Sequence, residues 1–387
     1  MANISSVNCG HKSYGTPVYK KYVSDILNAS KTHSYINFVG PFMKYPLLPL
    51  PSRCSIGHLT PQGVAQHLQL GRILKDLYFT DLKLLAHPWE LDEILVYSTK
   101  YRRTFQSALA FLYAFLPKFD TTNLRMREAK GINFCDDNCD CEKLSHYVQK
   151  HDQERKEYRK SHPGVMELVR NLSPIIKPSE SSNDITNPLV MIDGLLTYAC
   201  HGSKLPCNKG KCIAYDNLSS LISYEEWESK QKRTSSQRKG TKLKAYGLLR
   251  NMLDMMDGMM GDGKPRVVIY AGHDKTLNLI LGSLGLSSHQ PPYYASRIIF
   301  ELYFNSSSRA VTSDYRENYY FRIVYNGKDL TKYLPFCNAK VVKQLFSGNA
   351  KKGSISLCSL TKFEKFLKGE TYFKEFNSTS YKEACVK

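Results

Sequence analysis

Long apolar runs are absent from this 387-residue chain: nowhere do 18 apolar residues follow one another, so no segment reads as a membrane-spanning helix. The first twenty residues also lack the basic-then-apolar pattern of a secretory signal, which taken alone predicts a soluble, cytosolic chain. Acid is the scarce charge, with 35 Asp and Glu against 54 Lys and Arg and a formal charge of +19. That excess favours polyanionic partners: phosphorylated molecules, sulfated glycans, nucleic acid or an anionic membrane surface. No zinc finger, RNA-binding signature or basic helix accompanies it, so nucleic acid is not the expected partner. No internal repeat is visible either. What is present, 42% apolar and 12% aromatic residues with 26 Tyr, describes an ordered chain long enough for a large core, or for a core domain and a smaller cap.

Eleven cysteines stand partly in tight groups, Cys135, Cys139 and Cys141, then Cys200, Cys207 and Cys212. Clustering of this kind suits disulfides in an oxidising lumen. The spacings do not reproduce paired Cys-x2-Cys knuckles and no His follows at ligand spacing, so neither zinc nor another metal is expected. The odd count leaves one cysteine unpaired or its partner missing. Asn-X-Ser/Thr sequons at Asn3, Asn28, Asn171, Asn217, Asn305 and Asn377 permit glycosylation. Together these features point to a secretory-pathway protein without its targeting segment. The densest basic cluster, Lys230, Lys232, Arg233, Arg238, Lys239, Lys242 and Lys244, reads as a solvated, mobile loop.

Along the chain, residues 1 to 57 read as an N-terminal loop region, with the prolines of Tyr45-Pro46-Leu47-Leu48-Pro49-Leu50-Pro51 excluding a helix there. Thr60 as N-cap and Pro61 at the first position then open an amphipathic helix with Val64, Leu68, Gly71 and Leu74 on one face. Ile94 to Thr99 has the composition of a buried parallel strand, and Phe105 to Leu116 follows as a helix that stops at Pro117. The turn between them holds Lys100, Arg102 and Arg103. From 125 to 262 the periodicity weakens, and a largely helical, disulfide-pinned cap is expected, including a Met-rich helix from Ala245 to Met260. A strand at 266–271 and an alternating pair at 297–304 and 320–325 return to core patterning, and the lysine-rich C-terminus reads as an exposed end. The expected architecture is an α/β core of 1–124 and 263–387 interrupted by a cap at 125–262.

Within that pattern the strand from Val267 ends on His273-Asp274 and turns straight into an apolar helix running to about Leu284, with Gly285 just past its end. An imidazole and a carboxyl thus stand at a strand's carboxyl edge, where open α/β sheets bind ligands. A plainer reading makes Asp274 the N-cap of that helix and His273 a hydrogen-bonded turn residue. Arg103, at the end of the other strand, offers a fixed fork of donors for phosphate oxygens. His273 adds a donor or a charge, and Asp274 is placed to protonate a leaving group. Arg102, next to Arg103, is its rival for the inward position.

Several ordered blocks resemble those of the histidine acid phosphatases over most of the chain: Gly57-His-Leu-Thr60-Pro-Gln-Gly63, Ser98-Thr99-x3-Arg103-Thr104-x2-Ser107-Ala108, His273-Asp274-x-Thr276-Leu277, Phe300-Glu301-Leu302 and Tyr325-Asn326-Gly327. The resemblance implies a three-layer, phosphoglycerate-mutase-like α/β core with an inserted cap, no cofactor, Arg103 and His273 as phosphate contacts, and Asp274 as the general acid. Such an acid must hold its proton until the leaving oxygen needs it. The cysteine blocks Phe134-Cys135-x3-Cys139-x-Cys141 and Cys200-His201-x4-Pro206-Cys207-x4-Cys212 are similar to those of the branch acting on 2-phosphoxylose. That likeness implies a Golgi-lumen enzyme, held by an N-terminal membrane anchor, that removes phosphate from xylose in the glycosaminoglycan linkage region. An anionic glycosaminoglycan is the matching partner. The family's nucleophile, a histidine in an Arg-His-Gly-x-Arg-x-Pro segment after the first core strand, has no counterpart here. Gly10-His11 and Gly57-His58 are the early Gly/His neighbours, and neither has the order or the arginines. The expectation is a core without its first strand: inactive as it stands, poorly stable along the exposed strand edges, and either part of a phosphomonoesterase or a non-catalytic binder of phosphorylated or sulfated glycans.

Overall fold

A computed structural model describes residues 16–49, 57–85, 88–131, 134, 140–176, 187–230, 234–261, 263–286, 292–306, 315–344 and 353–386. Two helices occupy the region expected to be loop, α1 (Pro17–Ala29) and α2 (His33–Val39). Thr16 and Thr32 cap them, each hydroxyl accepting a backbone N–H three residues on. Their buried face is Tyr19, Tyr22, Ile26, Tyr35 and Phe38. Tyrosine counts as half polar in a periodicity reading, which is why this stripe passed for loop, and the prolines from Pro46 onward lie beyond both helices.

The Thr60-Pro61 signal opens α3 (Pro61–Lys75) as read, with the Thr60 hydroxyl accepting the Gly63 N–H. α3 lies against α4 (Arg102–Phe115), and the two backbones meet at Gly71, where a Cβ would stand 2.6 Å from the Phe111 carbonyl oxygen. Ahead of α4 runs β1 (Ile94–Thr99). β2 (Met126–Ala129) pairs with it on one side and β5 (Val267–Ala271) on the other, all parallel. Continuous apolar side chains suit β1 to this buried central place.

Between β2 and β5 come α5 (Glu142–Lys160), α6 (Pro163–Ile176), α7 (Pro188–Cys200), the short hairpin β3 (Cys207–Asn208) and β4 (Lys211–Cys212) stapled by Cys207–Cys212, α8 (Tyr215–Lys230) and α9 (Ser235–Gly261). Residues of α6 to α8 gather round a cluster of their own, including Val169, Leu172, Met191, Leu195 and Leu221. Both ends of the 125–262 stretch instead join the core. β2 extends the parallel sheet, and α9 turns Leu243, Leu249, Leu253 and Met256 toward Ile280 and Leu281 of α10 (Asp274–Ser283). The described part of the basic cluster is helix and not loop. Arg238, Lys239, Lys242 and Lys244 stand on α9, and Glu375 takes Arg238 at 2.9 Å and Lys242 at 3.0 Å. Lys232 and Arg233 lie outside the described residues.

The second sheet is antiparallel. It contains β6 (Ile298–Phe304), β7 (Tyr319–Tyr325), β8 (Lys328–Asp329), β9 (Lys340–Gln344) and β10 (Gly353–Ser359) in the order β6-β7-β10-β9, with β8 on β7. The C-terminus, expected to be an exposed end, is built into the core. α11 (Leu360–Lys368), α12 (Glu370–Phe373) and α13 (Tyr381–Val386) bury Phe363, Leu367, Tyr372, Phe373 and Cys385; the disulfide Cys141–Cys385 fastens α13 to the start of α5, and Cys337–Cys358 ties β10, which leads into α11, to the segment before β9. Lysines alternating with these apolar residues masked the buried face. Cys200 is the free cysteine among the described residues, while Cys135 and Cys139 lie outside them.

Among the described residues β5 pairs only with β1, and β6 only with β7. The remaining edges of β5 and β6 border the same cavity of about 2310 Å³. All five residues of β5 are only half-buried, although Val-Val-Ile-Tyr-Ala is a composition for the interior.

Candidate active site

Parallel pairing sets the site. Ser98 lies opposite Ala271, so β1 and β5 end level and the turns after them, 100–101 and 272–273, emerge side by side. α4 then starts at Arg102 and α10 at Asp274. His273 is the residue preceding the helix, in extended conformation, and its backbone N–H donates to the Thr276 hydroxyl at 3.3 Å. Asp274 is therefore the first helical residue and not the N-cap of the plainer reading. Its carboxyl stands where a helix end favours negative charge.

The neighbours of His273 define its proton. An Arg103 terminal nitrogen lies 3.4 Å from Nδ1, and because guanidinium only donates, Nδ1 accepts. Nε2 then carries the hydrogen and donates to the Thr99 hydroxyl at 3.0 Å. Thr99 passes its own hydrogen to Thr104 Oγ1 at 3.0 Å, whose hydroxyl donates to the Tyr101 carbonyl at 2.8 Å. Both threonines are buried. The relay holds a neutral imidazole in one tautomer. Burial, then the charge of Arg103, lowers the His273 pKa below its usual value, with Asp274 opposing.

Arg103 is itself fixed on two further sides. Its other terminal nitrogen donates to the Gly57 carbonyl at 3.3 Å, and its guanidinium lies 4.6 Å over the Tyr101 ring, which also meets the His273 ring edge-on. Gly57 has φ +72°, a conformation that suits glycine. Arg102 turns away and donates to the Leu48 carbonyl. Of the two candidate arginines, Arg103 reaches the cavity together with His273 and Asp274.

His58 also borders the cavity, with its pKa lowered by burial and then by Arg102 and Arg103; His11 lies outside the described residues. Across the opening stands α7. Thr60 bonds His201 Nε2 at 3.0 Å, and the Gln62 amide donates to the Cys200 carbonyl at 3.1 Å, which ties the end of α7 to the start of α3. Asp193 of α7 faces the same cavity. Burial first, then the Asp274 charge, raises its pKa against the opposing pull of Arg103 and Lys275. The sequence marks Thr104 only as a letter of a resembling block and gives no sign of Tyr101 or Asp193. A threonine five residues after a strand's polar end, in the first turn of the following helix and able to bond backward, was the available signal for Thr104; nothing local marks Asp193. No cluster of metal-ligating groups occurs among the described residues.

Residues 16–326 match the profile of the histidine phosphatase superfamily (branch 2). The chain is 31% identical to 2-phosphoxylose phosphatase 1 of Xenopus tropicalis, an alignment covering 89% of this chain and 66% of that protein. To the Homo sapiens protein of the same name it is 29% identical, over 98% and 75% respectively. Testicular acid phosphatase of Mus musculus is 25% identical over 76% of this chain and 71% of its own length. Among solved structures, a Klebsiella phytase superimposes with a TM-score of 0.51 at 15% identity, covering 91% of each chain, which is a likeness of fold.

Proposed function

This chain belongs to branch 2 of the histidine phosphatase superfamily, and from that membership we propose that its cavity holds the phosphate of a phosphorylated sugar between Arg103 and His273, with Asp274 on the leaving-group side. The observation that carries the reading is the Arg103–His273 contact of 3.4 Å at the level ends of β1 and β5, with Asp274 the next residue. An arriving phosphate takes the Arg103 donors now shared with Nδ1 and the Gly57 carbonyl. Nδ1 is then free to take a proton, and the imidazolium becomes a second donor to the anion. Asp274, protonated, gives its proton to the departing alkoxide.

What attacks phosphorus is not supplied by an Arg-His-Gly-x-Arg-x-Pro segment of this sequence. The edges of β5 and β6 that are unpaired among the described residues, beside the site, support the reading that a strand carrying such a segment would fit between them. On this reading the present chain binds phosphomonoesters without turning them over, and the function it belongs to is that of a 2-phosphoxylose phosphatase of the Golgi lumen. Domain organisation follows the same plan, an α/β core with the α6–α8 layer as its cap. A non-catalytic glycan binder is the second reading, favoured by the charge of +19 and the missing motif.

Incubation of the purified chain with p-nitrophenyl phosphate tests the central point. No release of nitrophenolate is expected. Turnover that disappears in His273→Ala or Asp274→Ala would show that the chain carries its own nucleophile and overturn the proposal.

A further inference from the structure

Facing the Arg103–His273 corner, α7 presents a group that phosphate chemistry does not need. Asp193 borders the cavity, and its charge neighbours are Asp274, Arg103 and Lys275. One helical turn on, the Thr197 hydroxyl donates back to the Asp193 carbonyl at 3.1 Å, and the Thr197 and Tyr294 side chains border the same space. Gln62 lines it too, its amide oxygen buried without a hydrogen-bond partner while its nitrogen is committed to the Cys200 carbonyl. The wall is held in place by the Thr60–His201 and Gln62–Cys200 bonds.

Such a wall is wrong for a polyanion and right for hydroxyls. A second phosphate pushed toward α7 meets a carboxylate. A leaving group rich in hydroxyls meets an acceptor of charge-assisted hydrogen bonds, with neutral donors and acceptors on either side. Asp274 and Asp193 line the same cavity, so a substrate held at the Arg103–His273 corner has both the carboxyl assigned to the leaving oxygen and the one on α7 in its surroundings. We infer that Asp193 is a specificity-determining residue that hydrogen-bonds a hydroxyl next to the ester oxygen, so that the site selects monophosphate esters of neutral sugars over simple alkyl phosphates. This inference rests on the phosphatase reading of the Arg103–His273 corner.

Calorimetric titration of the full chain with methyl phosphate and with xylose 2-phosphate separates the two. Both carry the same dianion, but only the second carries neighbouring hydroxyls. The wild-type chain is expected to prefer the sugar ester roughly tenfold, the worth of one charge-assisted hydrogen bond. Asp193→Asn should bring that ratio close to one while methyl phosphate binds as well as before or better, since a nearby negative charge has gone. Tyr294→Phe should lower the ratio by a smaller factor. A ratio unchanged in Asp193→Asn refutes the assignment and leaves the phosphate corner standing. Equal weakening of both ligands also refutes it, because that is the mark of a merely structural residue. No binding of either ligand to the wild-type chain overturns the phosphate corner itself, and the Asp193 inference with it.

Discussion

Replacing Arg103 by methionine isolates what its guanidinium does. The methionine stem keeps the packing over Tyr101, while the donors to Gly57 and His273 and the positive charge disappear. Two effects follow from the geometry. A phosphate bound at the corner loses a two-pronged charged partner, about 2–4 kcal/mol, or roughly 30- to 1000-fold in dissociation constant. His273 also changes its proton affinity. Burial is the larger cause of its lowered pKa and Arg103 the next, so removing the cation makes protonation easier and moves the pKa up, still short of the usual value because the burial remains. Titration with inorganic phosphate, together with nitrogen-15 NMR of the histidine side chains between pH 4 and 8, reads both on one sample, and the urea midpoint confirms the fold. Arg103→Lys keeps the charge without the fork and should fall between the two. Unchanged phosphate affinity in a folded Arg103→Met, or a His273 midpoint that drops, would refute the assignment of Arg103 as the phosphate partner and the electrostatic account of His273.

Burial holds the His67 imidazole neutral, with its pKa down at about 4. An unfolded chain binds that proton near pH 6.5, so the contribution of neutral His67 is complete above that pH and is lost as pH falls toward 4, on the order of 2–3 kcal/mol. Urea unfolding at pH 7 and 4.5 should show a flatter acid limb for His67→Gln than for the wild type; parallel curves would contradict this. Gly71→Ala places a Cβ 2.6 Å from the Phe111 carbonyl and 2.9 Å from the Phe115 nitrogen, so α3 and α4 must separate. A loss of about 1–3 kcal/mol in chemical denaturation is expected, accompanied by weaker phosphate binding because α4 carries Arg103. A neutral substitution would mean that the helices meet elsewhere.

Much of this protein was written locally. The Thr60-Pro61 cap, the apolar run at 94–99 and the strand-to-helix turn at 272–274 each depend on a few consecutive residues, so period, cap and turn chemistry fixed them before any tertiary contact was known. His273, Asp274 and Arg103 stood out as candidates for the same reason: each is a polar group that follows an apolar strand into a helix. Where side chains serve two purposes, local reading failed. The tyrosine stripe of α1 and the lysine-studded helices of the C-terminus look polar in sequence, yet they bury their rings once another element lies across them. The basic cluster on α9 became ordered helix partly because Glu375, far along the chain, meets Arg238 and Lys242. Other relations belong to the folded chain alone. The sequence specifies that β1 and β5 are strands, but only their parallel register brings Arg103 against His273 and selects it over Arg102. Only the docking of α7 on the start of α3 brings Asp193 to the same cavity. Caps and periods are set by neighbours within a turn or two, whereas a binding site is a meeting of distant segments whose distances exist only after the core has packed.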